Sequence, residues 1–140
     1  MKALIIGGGG GIGLHLARRL HNDGWTVDIV DNLSRGYGDG ELQAFVDETG
    51  SKAIYGDFIA LNESGDIGGD YDVIHHLAAL LGVQNVLENS YRVLTLNVQL
   101  TEAALECASR QKNLRRFVYY STSEVYAGTL TLYGLTCPTP

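Results

Sequence analysis

The stretch Lys2-Ala3-Leu4-Ile5-Ile6-Gly7-Gly8-Gly9-Gly10-Gly11-Ile12-Gly13 decides the fold. A short apolar run halts abruptly at glycine, the pattern of a strand buried on both faces of a parallel sheet. Ile12 to Asn22 then places Ile12, Leu16 and Leu20 at helical spacing and stops before Gly24, so it reads as an amphipathic helix with those three on one face. Strand, glycine turn and helix open a βαβ unit, and the pattern repeats along the chain. Thr26 to Val30, Lys52 to Tyr55, Asp72 to His75 and Arg116 to Ser121 are expected as four further strands. Glu41 to Glu48 is expected as a short helix with Leu42, Phe45 and Val46 inward. A long helix from about Val86 to Gln111 carries an apolar stripe of Leu87, Tyr91, Leu94, Val98, Leu105 and Ala108.

Strands alternating with helices imply right-handed crossovers and an α/β, doubly wound parallel sheet of Rossmann type with about five strands. Ligands of such sheets sit beyond the carboxyl ends of the strands, where strand order reverses. The composition fits. The chain has 140 residues, long enough for one domain that buries roughly two thirds of its unfolded surface. Ten Lys and Arg against 16 Asp and Glu give a net charge of −6, which argues against a nucleic-acid partner. No apolar run approaches the roughly 20 residues of a membrane span, so no membrane association is expected. Cys107 and Cys137 lack metal-ligand spacing, and no metal site is expected. A reducing cytoplasm is the expected compartment.

Gly7, Gly10 and Gly13 form a G-x-x-G-x-x-G pattern running from the first strand into the first helix. A dinucleotide pyrophosphate requires a tight turn, close backbone approach and free N–H groups at a helix N-terminus, and side chains at these positions would obstruct it. Five consecutive glycines could equally make a ligand-free flexible turn. The flanking strand and helix, with Asp31 18 residues after Gly13, favour the dinucleotide. A carboxylate ending the second strand accepts from ribose hydroxyls and repels a 2′-phosphate, which favours NAD over NADP. Arg35, four residues on, either pairs with a phosphate or is a solvated loop cation; the second reading is preferred. His75 and His76 are adjacent on a strand, face opposite sides and cannot share a metal.

Several motifs together resemble the extended short-chain dehydrogenase/reductases, the NAD-dependent epimerase/dehydratase enzymes of nucleotide sugars. They are Ile6 to Gly13, Asp31-Asn32-Leu33-Ser34-Arg35-Gly36, Gly56-Asp57, His76-Leu77-Ala78-Ala79, Asn97-Val98 and Ser121-Thr122-Ser123-Glu124-Val125-Tyr126. The similarity runs from Lys2 to about Gly128. Ile6, where the family usually has threonine, and Gly11, where it often has a bulky residue, depart from the pattern. The resemblance implies cofactor roles for Gly7, Gly10, Gly11, Ile12, Gly13, Asp31, Asn32, Asp57, Phe58, Leu77, Ala78, Ala79 and Asn97. Asp57 would accept the adenine amino proton or serve as a turn aspartate. Ala78 and Ala79 would pass beneath the cofactor, and Asn97 would tie backbone rather than touch substrate.

The resemblance further implies that Thr122, with Ser123 and Glu124, faces the sugar hydroxyl being oxidised. That triplet looks closest to UDP-glucuronate decarboxylases and nucleotide-sugar dehydratases. The family's mechanism passes through a transient 4-keto sugar and regenerates NAD. Its base is a tyrosine with a lysine four residues later, and no Tyr-x-x-x-Lys occurs in this sequence. Tyr133-Gly134-Leu135-Thr136-Cys137 carries cysteine where lysine belongs, with Pro138 and Pro140 just beyond. The expected organisation is therefore a partial NAD-binding domain over 1–128, incomplete on its C-terminal side, and an irregular tail over 129–140. The fifth strand is expected as an uncovered edge. The preferred reading is the N-terminal portion of a truncated nucleotide-sugar epimerase, dehydratase or decarboxylase, inactive alone. A non-catalytic NAD-binding module and an inactive remnant are the alternatives. A homodimer through the long helix is also implied by the family.

Overall fold

A computed structural model of the chain describes residues 1–35 and 40–122. The elements are β1 (Lys2–Ile6), α1 (Gly11–Asn22), β2 (Thr26–Asp31), α2 (Glu41–Thr49), β3 (Lys52–Tyr55), α3 (Phe58–Ser64), β4 (Val73–His76), α4 (Val83–Ser109) and β5 (Arg116–Tyr119). Ser123, Glu124, the 128/129 domain boundary and the Tyr133 to Cys137 segment lie outside the described residues.

The five strands form one parallel sheet in the order β3-β2-β1-β4-β5. The chain moves outward from β1 to β3 and then returns to β4 on the other side. The order therefore reverses between β1 and β4, the crevice where ligands of such sheets lie. Strand periodicity sorts the core into two layers. Ile5, Val27 and Ile29 pack with Leu14, Ala17, Leu42 and Phe45 from α1 and α2. Leu4, Ile6, Val30 and Ile74 point the other way, against Phe58, Leu100, Ala103, Ala104 and Cys107 from α3 and α4. Alternate residues of β1 thus feed opposite cores, which is why the strand reads as one unbroken apolar run.

Three expectations need correcting. On α1 the buried positions are Gly13, Leu14 and Ala17, while Ile12 is exposed, because two small residues let the helix lie close to the sheet. On α4 the apolar stripe is outside: Leu87, Tyr91, Leu94, Val98 and Leu105 are all exposed. The helix instead buries Leu100, Ala103, Ala104, Cys107 and Ala108, of which only Ala108 belonged to the expected stripe. α4 also begins earlier than expected and is kinked at Asn89, whose φ of −138° and ψ of 44° are not helical. Third, α3 was not anticipated: Asp57 caps its start, accepting from Ala60 N–H at 3.1 Å, and Gly65 ends it. Among the described residues β5 has a neighbour on one side only.

Candidate functional site

At the carboxyl ends of β1, β2 and β4 lies a cleft of about 300 Å³. Gly7, Gly9 and Gly10 line it from the turn after β1, and Asp31 to Arg35 from the end of β2. Gly56, Asp57 and Phe58 come from the β3–α3 junction, and Leu77 to Leu81 from the loop after β4. Leu96 and Leu100 of α4 close one wall.

The glycine turn is shaped by steric need at two points. Gly7 has φ +80°, and a Cβ there would lie 2.6 Å from the Ala78 backbone nitrogen. At Gly13 a Cβ would lie 2.5 Å from Gly8 Cα, so the turn folds back directly onto the helix. The N–H groups of Gly7 and Gly8 are spent on the Val30 carbonyl, at 2.8 and 3.4 Å. The first intrahelical bond of α1 is Leu14 N–H to Gly10 O at 2.9 Å. That leaves the N–H groups of Gly11, Ile12 and Gly13 without an acceptor in the described chain, and no acidic residue occupies the first turn. An anion would complete this end.

Asp31 is held from two sides. Gly9 N–H donates to Oδ2 at 2.8 Å and Leu33 N–H to Oδ1 at 2.7 Å. A carboxylate offers about four lone-pair directions, so acceptor capacity remains for a diol. Leu33 reaches its position with φ +53°, and Asn32 Oδ1 accepts from Ser34 N–H at 3.0 Å. Gly9 was missed by the sequence reading, which took the glycines at three-residue spacing. The unbroken run of five was the available signal.

Asn97 stands behind the cleft. It accepts from Leu80 N–H at 2.7 Å and donates to Leu80 O at 3.1 Å, while Leu77 and Ala78 N–H both bind the Ile6 carbonyl. The loop beneath the cleft is thus fixed at both ends. Asp57 and Phe58 line the cleft, and Asp57 Oδ1 also caps α3. Gly11 and Ile12 lie at the helix start, exposed and outside the cleft lining. Arg35 lines the cleft and is exposed there, as a solvated loop cation would be. Thr122 is exposed just past β5, at the same edge of the sheet but not in the cleft wall.

The two histidines separate as expected. Half-buried His75 sits 3.2 Å from the Tyr120 hydroxyl, whereas buried His76 packs against Phe117 and Tyr119. Burial pushes both imidazoles below the ordinary histidine range, which favours their neutral forms. Among the described residues no helix is long and apolar enough to cross a membrane.

Comparison with known proteins bears on this geometry. Residues 3–135 match the model of the NAD dependent epimerase/dehydratase family. A UDP-N-acetyl-alpha-D-glucosaminuronate decarboxylase of Bacillus cytotoxicus is 35% identical over 126 residues, covering 89% of this chain and 37% of that protein. A probable UDP-arabinose 4-epimerase of Arabidopsis thaliana is 35% identical over 131 residues, covering 88% of this chain and 31% of its own length. Among solved structures, UDP-glucose 4-epimerase from Bifidobacterium longum in complex with NAD+ and UDP superposes with a TM-score of 0.74. It is 27% identical, with 90% of this chain and 38% of that one covered. The chain therefore spans between 31% and 38% of the length of these relatives.

Proposed function

This chain belongs to the NAD-dependent epimerase/dehydratase family, and on that premise we propose that it forms the NAD-binding portion of a nucleotide-sugar epimerase, dehydratase or decarboxylase. The observation that carries the reading is the fixed Asp31 carboxylate sharing one cleft with the glycine turn that leads into the open N-terminus of α1. The free N–H groups of Gly11, Ile12 and Gly13 take the pyrophosphate, and Gly7 and Gly10 leave room for it. Asp31 takes the adenosine ribose, with Asn32 on the same strand end. Asp57, Phe58, Leu77, Ala78 and Ala79 line the remaining wall, and Asn97 holds that wall in place through Leu80.

Bound NAD supplies a reversible hydride acceptor, which lets a sugar hydroxyl carbon be oxidised to a ketone and later reduced again. The chain's own contribution is to bind and orient. Thr122, Ser123 and Glu124, following β5, are proposed to meet the sugar hydroxyl. The 35% identity to a decarboxylase and to a 4-epimerase alike supports the class and leaves the individual sugar open. The reaction belongs to a reducing cytoplasm, in keeping with the cysteine usage.

Calorimetric titration tests the cofactor reading. Asp31→Ala removes charge-assisted hydrogen bonds of about 1.5–3 kcal/mol, so NAD should bind roughly 10- to 100-fold more weakly. NADP, which loses a repulsive neighbour as well, should be affected far less. Equal losses for both dinucleotides would count against the ribose role.

Turnover assays with UDP-sugars separate this enzymatic reading from a non-catalytic NAD-binding module. The exposed stripe of Tyr91, Leu94, Val98 and Leu105 beyond the Asn89 break supports a homodimer through α4. Sedimentation equilibrium should then report a dimer that Leu94→Glu dissociates; a concentration-independent monomer would dismiss it.

A further inference from the structure

The loop after β4 is fixed as far as Leu80, and α4 is packed into the core from Leu96 onward. Between them, among the described residues, no side-chain hydrogen bond ties the chain to another element. Every residue from Gln84 to Arg92 is exposed. Among the described residues, the side-chain hydrogen bonds of this stretch stay local: Asn85 Nδ2 donates to Leu81 O at 2.8 Å and Gln84 Nε2 to Glu88 Oε1 at 2.7 Å. Yet Leu81 and Asn85 line the cleft.

The two ends of this stretch carry unusual backbone. Gly82 has φ +122° with ψ 130°, a conformation that side chains rarely permit. Asn89 breaks the α4 helix with φ −138° and ψ 44°. No proline causes that break, and the residues between the two points form a short piece of helix. A helical piece bounded by two irregular residues, exposed from Gln84 onward and contributing to a ligand wall, is the construction of a hinged cap. Val86 is half exposed on it, so closing over a ligand gives it apolar cover that the open state lacks.

We propose that Gly82 to Asn89 is a hinged cap that pivots at those two residues and closes over the dinucleotide. The proposal rests on the NAD-binding reading above. The cap's closing sets how fast the cofactor leaves rather than which cofactor fits, because the cap residue that lines the cleft, Asn85, is uncharged, and Glu88 is engaged by Gln84.

Hydrogen exchange of the whole 140-residue chain, with and without saturating NAD, decides it. The amides of 83–89 should exchange about fivefold or more slowly with NAD bound, alongside those of 9–13. Protection of 9–13 without change at 83–89 would overturn the cap and leave cofactor binding standing. No protection in either region would overturn both. A variant gives an independent readout. Asn89→Ala places the strongest helix former at the break, straightens α4 and holds the cap away from the cleft. Its NAD dissociation, followed by surface plasmon resonance, should be about tenfold faster at an unchanged melting temperature. A dissociation rate equal to that of the parent protein would overturn the pivot at Asn89. Should that variant melt early, the exchange comparison on the parent chain decides alone.

Discussion

A chain carrying Gly13→Ala should melt earlier and lose dinucleotide binding together. The added Cβ would sit 2.5 Å from Gly8 Cα, 2.8 Å from Gly8 O and 2.9 Å from Gly8 C. All three are backbone atoms, so no rotamer change relieves the contact and α1 must shift away from the turn. Overpacking of this kind costs about 1–3 kcal/mol. For a domain of this size that corresponds to roughly 3–10 °C in melting temperature. The same shift displaces the N–H groups meant for the pyrophosphate, whose charge-assisted bonds are worth about 1.5–3 kcal/mol each. Gly10→Ala is the informative contrast. Its Cβ meets nothing within 4 Å, yet the residue lines the cleft, so the variant should keep its melting temperature and still lose affinity. Gly13→Ala melting within about 1 °C of the parent would refute the packing account.

The second large effect lies at the opposite end of the strands. Asp28 is buried on the α3/α4 face of β2, where Lys2 Nζ lies 2.9 Å away and the Tyr71 hydroxyl donates at 2.7 Å. The Lys2 ammonium also sits 4.6 Å from the centre of the Tyr71 ring. Lys2→Met would leave a buried carboxylate with one neutral partner. Breaking a fully buried pair costs about 3–5 kcal/mol. Here the Lys2 side chain is 35% exposed, and water screens part of its charge. The expected loss is therefore smaller, about 1–3 kcal/mol by denaturant titration. Adding Asp28→Leu to Lys2→Met should recover much of it, since the buried charge then disappears. No recovery in the double variant would show that packing, not charge, holds this corner.

Tyr71 adds a pH signature. Burial first, and then the hydrogen bond to Asp28, push its phenol well above the ordinary tyrosine range. In the unfolded chain it titrates near 10. Above that pH the unfolded state sheds a proton that the folded state keeps, so stability falls as pH rises. Below about pH 10 the contribution is fully present. Tyr71→Phe should be less stable at neutral pH but lack this component of the alkaline decline.

Much of the fold was legible because local pattern and global layout coincide. A strand buried on both faces is apolar throughout, and β1 is just that. Glycine at Gly7, Gly24 and Gly50 stops or turns the chain where the pattern changes. Gly7, Gly10 and Asp31, read from the glycine turn and the acid after β2, line one cleft with Asn32, Asp57, Phe58, Leu77, Ala78 and Ala79, named from the family resemblance, whereas Gly11, Ile12, Gly13 and Asn97 are not among its lining residues. The reading failed where several local answers were equally good. α4 has two apolar faces, and the larger side chains, Leu87, Tyr91 and Leu94, drew the assignment. The sheet selected the face with Ala103, Ala104 and Ala108, because small side chains allow a helix to lie close. The seven-residue α3 is too short for periodicity to reveal, and its signal was only a cap and a terminating glycine.

The order of strands and helices, the glycine turn and the acid after β2 are written in the chain itself, because each depends on neighbours a few residues away. Which face of α4 meets the sheet, that Gly9 clasps Asp31 across 22 positions, and that Asn97 pins Leu80 were decided only in three dimensions. Those contacts join residues that local pattern treats as independent, and only close packing brings their hydrogen-bonding groups within reach.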